Sequence, residues 1–203
     1  MSLFKKGSSV QNKMNSHKSE PLLHLYPLTE EAKKYYTFLT DGTCNTNGDA
    51  GFDLGVPSDV EIPGRTMSYV LPLGIQGVFT RTKTTQFTTG SLNRYDKNTA
   101  YNNCVFRNVH LPYNVYLRSS TGKNTKLRLA NHVAVIDKTY RGELMAIIDN
   151  WSDEPYKIEA GTRLFQICLP SLKSFHVRLA KEDLNKLYPS ERGIKGLGST
   201  GSK

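Results

Sequence analysis

The feature that most constrains this chain is a succession of short apolar and β-branched runs, each closed by Gly, Pro, Asn, Asp or Ser. They fall at residues 22–26, 52–56, 68–73, 77–81, 105–109, 115–117, 127–129, 132–137, 143–149, 156–158, 163–169 and 175–179. Strands of this number and spacing build a β-sandwich or barrel, so the fold class is all-β. Two short helices interrupt the pattern. Thr29 is an N-cap residue ahead of residues 30–36, with Glu30 and Glu31 in the first turn, and residues 181–187 read as a second helix near the C-terminus.

The 203 residues fit one domain with appendages. Residues 1–21 carry Lys5, Lys6, Lys13 and Lys18 against the single acid Glu20, among Ser, Asn and Gln, and read as a disordered basic arm. The β domain runs over 22–180. The Gly- and Asn-rich stretch 40–49 reads as loop, and Thr- and Asn-rich text near 80–105 reads as a long insertion. Residues 181–203 form a C-terminal arm. Cys44, Cys104 and Cys168 are odd in number and form no C-x-x-C pair, which points away from a disulfide framework or a zinc site and toward a reducing, intracellular setting. Neither a membrane-length apolar run nor a signal-peptide core is present, so a soluble chain with no membrane partner is expected.

The 27 Lys and Arg against 18 Asp and Glu leave a formal charge of +9, which suits an anionic partner without choosing one. Between Gln76 and Ala130 nine cations meet one acid, Asp96, with Phe79, Phe87, Tyr95, Tyr101 and Phe106 interleaved. Basic and aromatic residues so mixed serve single-stranded nucleic-acid binding, and equally the solvated face of ordinary strands. A nucleic-acid role through the arm and insertion is therefore open but not expected.

Two segments carry chemistry. The first spans residues 131–143, where an apolar strand ends in Asp137, turns over Lys138 and Thr139 and resumes at Tyr140. That order places a carboxylate beside an aromatic ring, one to deprotonate water and the other to pack against a sugar or base. The second is the tail from Arg192 to Gly201, with four glycines, two hydroxyls and two cations and little to bury. It is either a solvated end or a segment that orders on a polyanion, since glycines let backbone N–H groups crowd a phosphate.

Together with Ala50-Gly51-Phe52-Asp53-Leu54, Arg118-Ser119-Ser120 and Gly161-Thr162-Arg163-Leu164-Phe165-Gln166, these segments resemble, in order, the five motifs of the trimeric dUTP diphosphatase (dUTPase) family. The resemblance runs from about Leu22 to Gly201. It implies a jelly-roll-like, distorted β-barrel, a homotrimer whose tail reaches a neighbouring active site, and hydrolysis of dUTP to dUMP and pyrophosphate with Mg²⁺. On that resemblance Asp137 is the general base. Asn131, Val135 and Ile136 read the uracil edge, Tyr140 packs under deoxyribose, and Met145 lines the same pocket. Arg118, Ser119, Ser120 and Gln166 hold the phosphates, while Arg192 takes the γ-phosphate and Gly196, Leu197, Gly198, Ser199 and Thr200 close over it. No direct protein ligand to the metal is implied. Asp53 has two readings of equal weight, an outer-sphere helper or an acid bracing an arginine.

Four positions depart from the family pattern. Leu197 replaces an aromatic lid and loses its stacking face, which implies weaker closure. Ala134 replaces a Gly in the hairpin that receives uracil, Ser120 replaces a Gly, and Thr162 replaces an Asp before Arg163. Two further functions remain as alternatives: a catalytically weakened nucleotide-binding or regulatory protein, and a dCTP deaminase. The related deaminases carry a catalytic Glu at the position of Ile147, so deamination is the weaker of the two.

Overall fold

The computed structural model describes residues 17–39, 44–46, 48–86 and 104–196. Strands β1 (His17–Lys18) and β2 (Leu22–Pro27) precede α1 (Glu30–Tyr35), a 3-10 turn (Thr37–Leu39) and β3 (Cys44–Asn45). Next come β4 (Gly51–Gly55), β5 (Val60–Ile62), β6 (Tyr69–Pro72), β7 (Ile75–Gln86), β8 (Cys104–Leu111) and β9 (Tyr113–Leu117). Helix α2 (Ser119–Asn124) leads into β10 (Leu127–Leu129), β11 (Ala134–Ile136), β12 (Met145–Asn150), β13 (Tyr156–Ile158), β14 (Arg163–Cys168), β15 (His176–Leu179) and α3 (Leu184–Leu187).

These strands form four sheets. A six-stranded sheet runs β1-β7-β2-β15-β3 with β8 on β7; the others are β10-β12-β6, β11-β9-β14-β4 and the pair β13-β5. Among the described residues every strand pairing is antiparallel except that of β15 with β2. Period-two burial explains the pairing: Leu127 and Leu129 point inward around exposed Arg128, and Ala146 and Ile148 do so on β12. Leu25, Leu54, Ile62, Phe79, Ile148 and Phe165, drawn from all four sheets, belong to one buried cluster. The chain is accordingly an all-β protein with a shared core.

Helix α1 begins as its sequence predicts, Thr29 Oγ1 accepting from Ala32 N at 3.1 Å. Gly55 lets its last residue pack closely, since a Cβ there would lie 2.5 Å from Tyr35 Cζ. Helix α3 is shorter than the expected 181–187 because Asp183 caps it, accepting from Asn185 N and Lys186 N.

Four expectations need correction. The expected insertion at 80–105 is strand at both ends: β7 and β8 pair continuously from Phe79↔Leu111 to Gln86↔Cys104, because β-branched Thr is a good strand residue even in polar text. Its central residues, 87–103, lie outside the described ones. The basic arm is not wholly without structure, since His17 and Lys18 pair with Thr84 and Lys83; residues 1–16 lie outside the described residues. Cys44 and Asn45, placed in a loop, pair with Val177 and His176. Helix α2 and strand β5 were not expected at all. Thr121 Oγ1 and Arg118 N both donate to Leu164 O, at 3.1 and 2.9 Å, which fixes a helix whose Ser-Ser-Thr-Gly sequence has little propensity of its own.

Candidate active site

Strand β11 is paired to β9, Ile136 opposite Tyr113 and Ala134 opposite Val115. The chain leaves the sheet at Asp137 and turns back, Tyr140 N donating to Asp137 O at 3.0 Å. It does not re-enter as the hairpin partner of β11. Strand β12 pairs instead with β6 and β10, so the turn bridges two sheets and opens a cleft between them.

That cleft holds a cavity of about 100 Å³ that is open to solvent. Asn131, Val135, Ile136, Asp137, Tyr140, Met145, Arg192 and Gly196, all expected site residues, line it together. Ala134, Glu143 and Ile147 line it as well. Ile147 lies two residues beyond Met145 on β12 and so on the same face, a period-two signal legible in the sequence. Glu143 gave no comparable signal; its Oε1 accepts from Gly74 N at 2.8 Å.

Tyr140 is 9% exposed, and its hydroxyl donates to Glu143 O at 2.7 Å. Burial, the larger influence, raises its pKa, with the Arg192 guanidinium opposing. Gly142 is what lets the ring lie this close to the turn, since a Cβ there would stand 2.5 Å from Tyr140 Oη. Arg192 forms an ion pair with Asp137, Nη1 to Oδ2, and its guanidinium carbon lies 5.5 Å from the Tyr140 ring centroid. Gly193 bridges Tyr140 in parallel, and Gly196 faces Met145 and the Tyr140 hydroxyl. The described part of the tail thus lies on its own chain's cleft, where a neighbouring subunit's site was expected. Leu197, Gly198, Ser199 and Thr200 lie outside the described residues.

The expected phosphate group forms a second cluster. Asp53 on β4 receives Arg118 Nε at 2.9 Å and Arg163 Nη1 at 3.4 Å. Gln166 is paired in register with both Asp53 and Tyr116. Ser119 and Ser120 are exposed in the first turn of α2. Of the two readings for Asp53, this geometry is that of a brace, with Arg118 and Arg163 both engaged.

Register separates the two clusters. Ile136 is level with Tyr113 at one end of β9, so Asp137 lies off that end, while Arg118 follows Leu117 at the other. At strand rise the two are about 20 Å apart along one chain.

Residues 109–201 match the family model described as dUTPase. A deoxyuridine 5′-triphosphate nucleotidohydrolase of Anaplasma marginale is 32% identical over 92 residues, which are 44% of this chain and 60% of that protein. Another, from Actinobacillus pleuropneumoniae serotype 3, is 29% identical over 161 residues, 78% of this chain and 85% of that protein. A crystal structure of dUTPase from Streptococcus mutans aligns with 79% of this chain and 98% of its own at 20% identity and a TM-score of 0.45. With several of the curated relatives the match spans only 50% to 60% of their length. The matched region holds the cleft, the Asp137–Tyr140 turn and the described tail, and it is this part of the chain that is similar to the dUTPase family.

Proposed function

We propose that this protein hydrolyses dUTP to dUMP and pyrophosphate, with Asp137 as the general base. The carrying observation is the convergence of Asp137, Tyr140, Asn131 and Arg192 on one cleft inside the family-matched region. Asn131 and the β11 backbone at Val135 and Ile136 hold the uracil edge, and Tyr140 and Met145 supply the apolar wall against deoxyribose. Asp137 takes the proton of a water aimed at the α-phosphorus. Arg192 leaves Asp137 for the γ-phosphate as the tail, Gly196 through Thr200, closes. Arg118, Ser119, Ser120 and Gln166 orient the phosphate chain, so the work is positioning and charge neutralisation rather than covalent chemistry.

Among the described residues no three His, Cys, Asp or Glu side chains converge, and Asp53 is engaged by two arginines. This donor set fits Mg²⁺ held chiefly by phosphate oxygens and waters, a coordination that needs no protein cage. When bound there, Mg²⁺ neutralises triphosphate charge. The separation of Asp137 from Arg118 along β9 supports a site shared between chains, with a homotrimer as the assembly. Deamination is disfavoured by apolar Ile147 in the cleft.

Pyrophosphate release from dUTP, dCTP and UTP tests the reading. Asp137→Asn should still bind dUTP while turnover drops by about 10² to 10⁴, the usual worth of a positioned base. Turnover at the wild-type rate in that variant removes Asp137 from the role.

A further inference from the structure

Phe79, opposite Leu111, is the last residue of β7 in the buried cluster, yet the β7–β8 ladder runs on from Arg81↔Val109 to Gln86↔Cys104. That outer stretch is about 20 Å long at strand rise. Neither β7 nor β8 contains an Asp or Glu. Register brings their cations together. Lys83 is opposite Arg107 on β8 and opposite Lys18 on β1, so three cationic residues stand level on adjacent strands about 5 Å apart. Arg81 lies two residues from Lys83 and so on the same face. Lys83 and Arg107 are exposed, and Arg81 is half-buried. The edge is fixed by the chain just past β1, where Thr82 N donates to Ser19 Oγ at 2.9 Å.

Like charges directly opposite one another destabilise a sheet unless an anion relieves them. Among the described residues no salt bridge engages Arg81, Lys83 or Arg107. Arg81 lacks an acceptor from within as well, since its Nε is buried with no hydrogen-bond partner. It borders two cavities open to solvent, and Glu20, the one acid on their walls, is paired to His176 Nε2 at 2.7 Å. The charge of this face is therefore left for an acceptor outside the chain.

We propose that the Arg81, Lys83 and Arg107 face of the ribbon binds the phosphate backbone of duplex DNA, independently of its sequence, as an activity separate from the cleft. Duplex DNA carries a charge for about every 1.7 Å of its axis, so a row of cations meets several phosphates at once, and the counterions released offset what the row costs the sheet. A two-stranded β-ribbon also fits the major groove. A single strand suits the face less well, because its described side chains include no ring on which an unstacked base could lie.

The test is fluorescence anisotropy of a labelled duplex of mixed sequence, and of one of its strands alone, titrated with the full chain without nucleotide over a range of salt. Each phosphate contact contributes about −0.9 to the slope of log K against log salt, so three contacts give the wild type a slope of about −3 or steeper. With Lys83→Gln and Arg107→Gln together, the slope should become shallower by about 2 and binding at low salt should weaken. Lys33→Gln with Lys157→Gln removes the same charge from exposed positions on α1 and β13, and should leave the slope near wild type. Urea unfolding monitors the fold: with two opposed cations gone, the ribbon variant's midpoint should hold or rise. Equal losses in the two double variants overturn the proposal, because net charge alone then explains binding. So does a wild type that leaves the duplex free at the lowest salt, or one that prefers the single strand. A ribbon variant whose midpoint falls along with its binding assigns the pair to the fold instead. No dUTP enters these measurements, so their failure leaves the hydrolysis reading standing, and a protein that releases no pyrophosphate leaves the DNA result standing.

Discussion

His24 is a buried imidazole whose surroundings hold it neutral. Its Nε2 lies 2.8 Å from Thr80 Oγ1, its Nδ1 accepts from Arg178 Nε at 3.2 Å, and the Tyr188 ring packs edge-on at 5.2 Å. Both ring nitrogens are therefore used in the neutral form, and a second proton would face the Arg178 N–H. Burial first, then the Arg178 and His110 charges, lower its pKa from 6.5 to about 4. The folded state binds the proton less readily than the unfolded chain, so stability is full above 6.5, declines as pH falls toward 4 and levels off below. The slope from this group is at most about 1.4 kcal/mol per pH unit. Urea unfolding at pH 7.5, 6 and 5, with the His24 ring followed by NMR, checks it: the ring should remain neutral at pH 5 while the midpoint falls. A His24 ring half-protonated near 6.5 contradicts the packing described.

Asn150 shows how an element is fastened to the rest. It ends β12 with no exposure, and its amide nitrogen donates to Ile62 O, Pro63 O and Glu154 O, each at 3.1 Å, while its Oδ1 accepts from Ser152 N at 3.0 Å. This side chain ties the β13-β5 pair to the three-stranded sheet, beside the backbone bonds from Arg65 N to Ser152 O and from Asn150 N to Thr66 O. Asn150→Ala should cost at least about 2 kcal/mol by leaving carbonyls unsatisfied, and Asn150→Asp more, because a carboxylate cannot donate to them. Urea midpoints at pH 7.5 give the order, and an Asp variant more stable than Ala would refute the amide's role as donor. The elements legible in the sequence were those with a buried face: β10 and β13 fall at the expected residues because apolar side chains flank a single polar one. Helix α2 and the outer half of the β7–β8 hairpin were not legible, because their order comes from tertiary bonds and cross-strand pairing rather than local pattern. The site divides the same way. Asp137 and Tyr140 stand out as a carboxylate and a ring around a turn, whereas Glu143 lines the same cleft with nothing in the sequence to set it apart.

At the scale of the molecule, the position of β9 decides how a site is completed. Asp137 lies off one end of this strand and Arg118 beyond the other, about 20 Å away at strand rise, with Gln166 level with Tyr116 near the Arg118 end. Under the proposed function, one chain therefore presents a nucleoside cleft at one place and a phosphate cluster at another. On that reading each becomes useful when a second chain supplies the missing half, and a head-to-tail interface that closes on itself would repeat that pairing around a ring. Complementation follows from this geometry. Asp137→Asn retains the phosphate cluster, and Arg118→Ala retains the base and leaves Asp53 its contact with Arg163. Alone, each variant should be nearly inactive. Dissociated and reassembled together in equal amounts, random assortment gives about one quarter of sites both wild-type halves, so dUTP turnover should recover to about that fraction of wild type. Turnover that stays at the level of the separate variants, in mixtures shown to have exchanged subunits, would place both halves of the working site in a single chain.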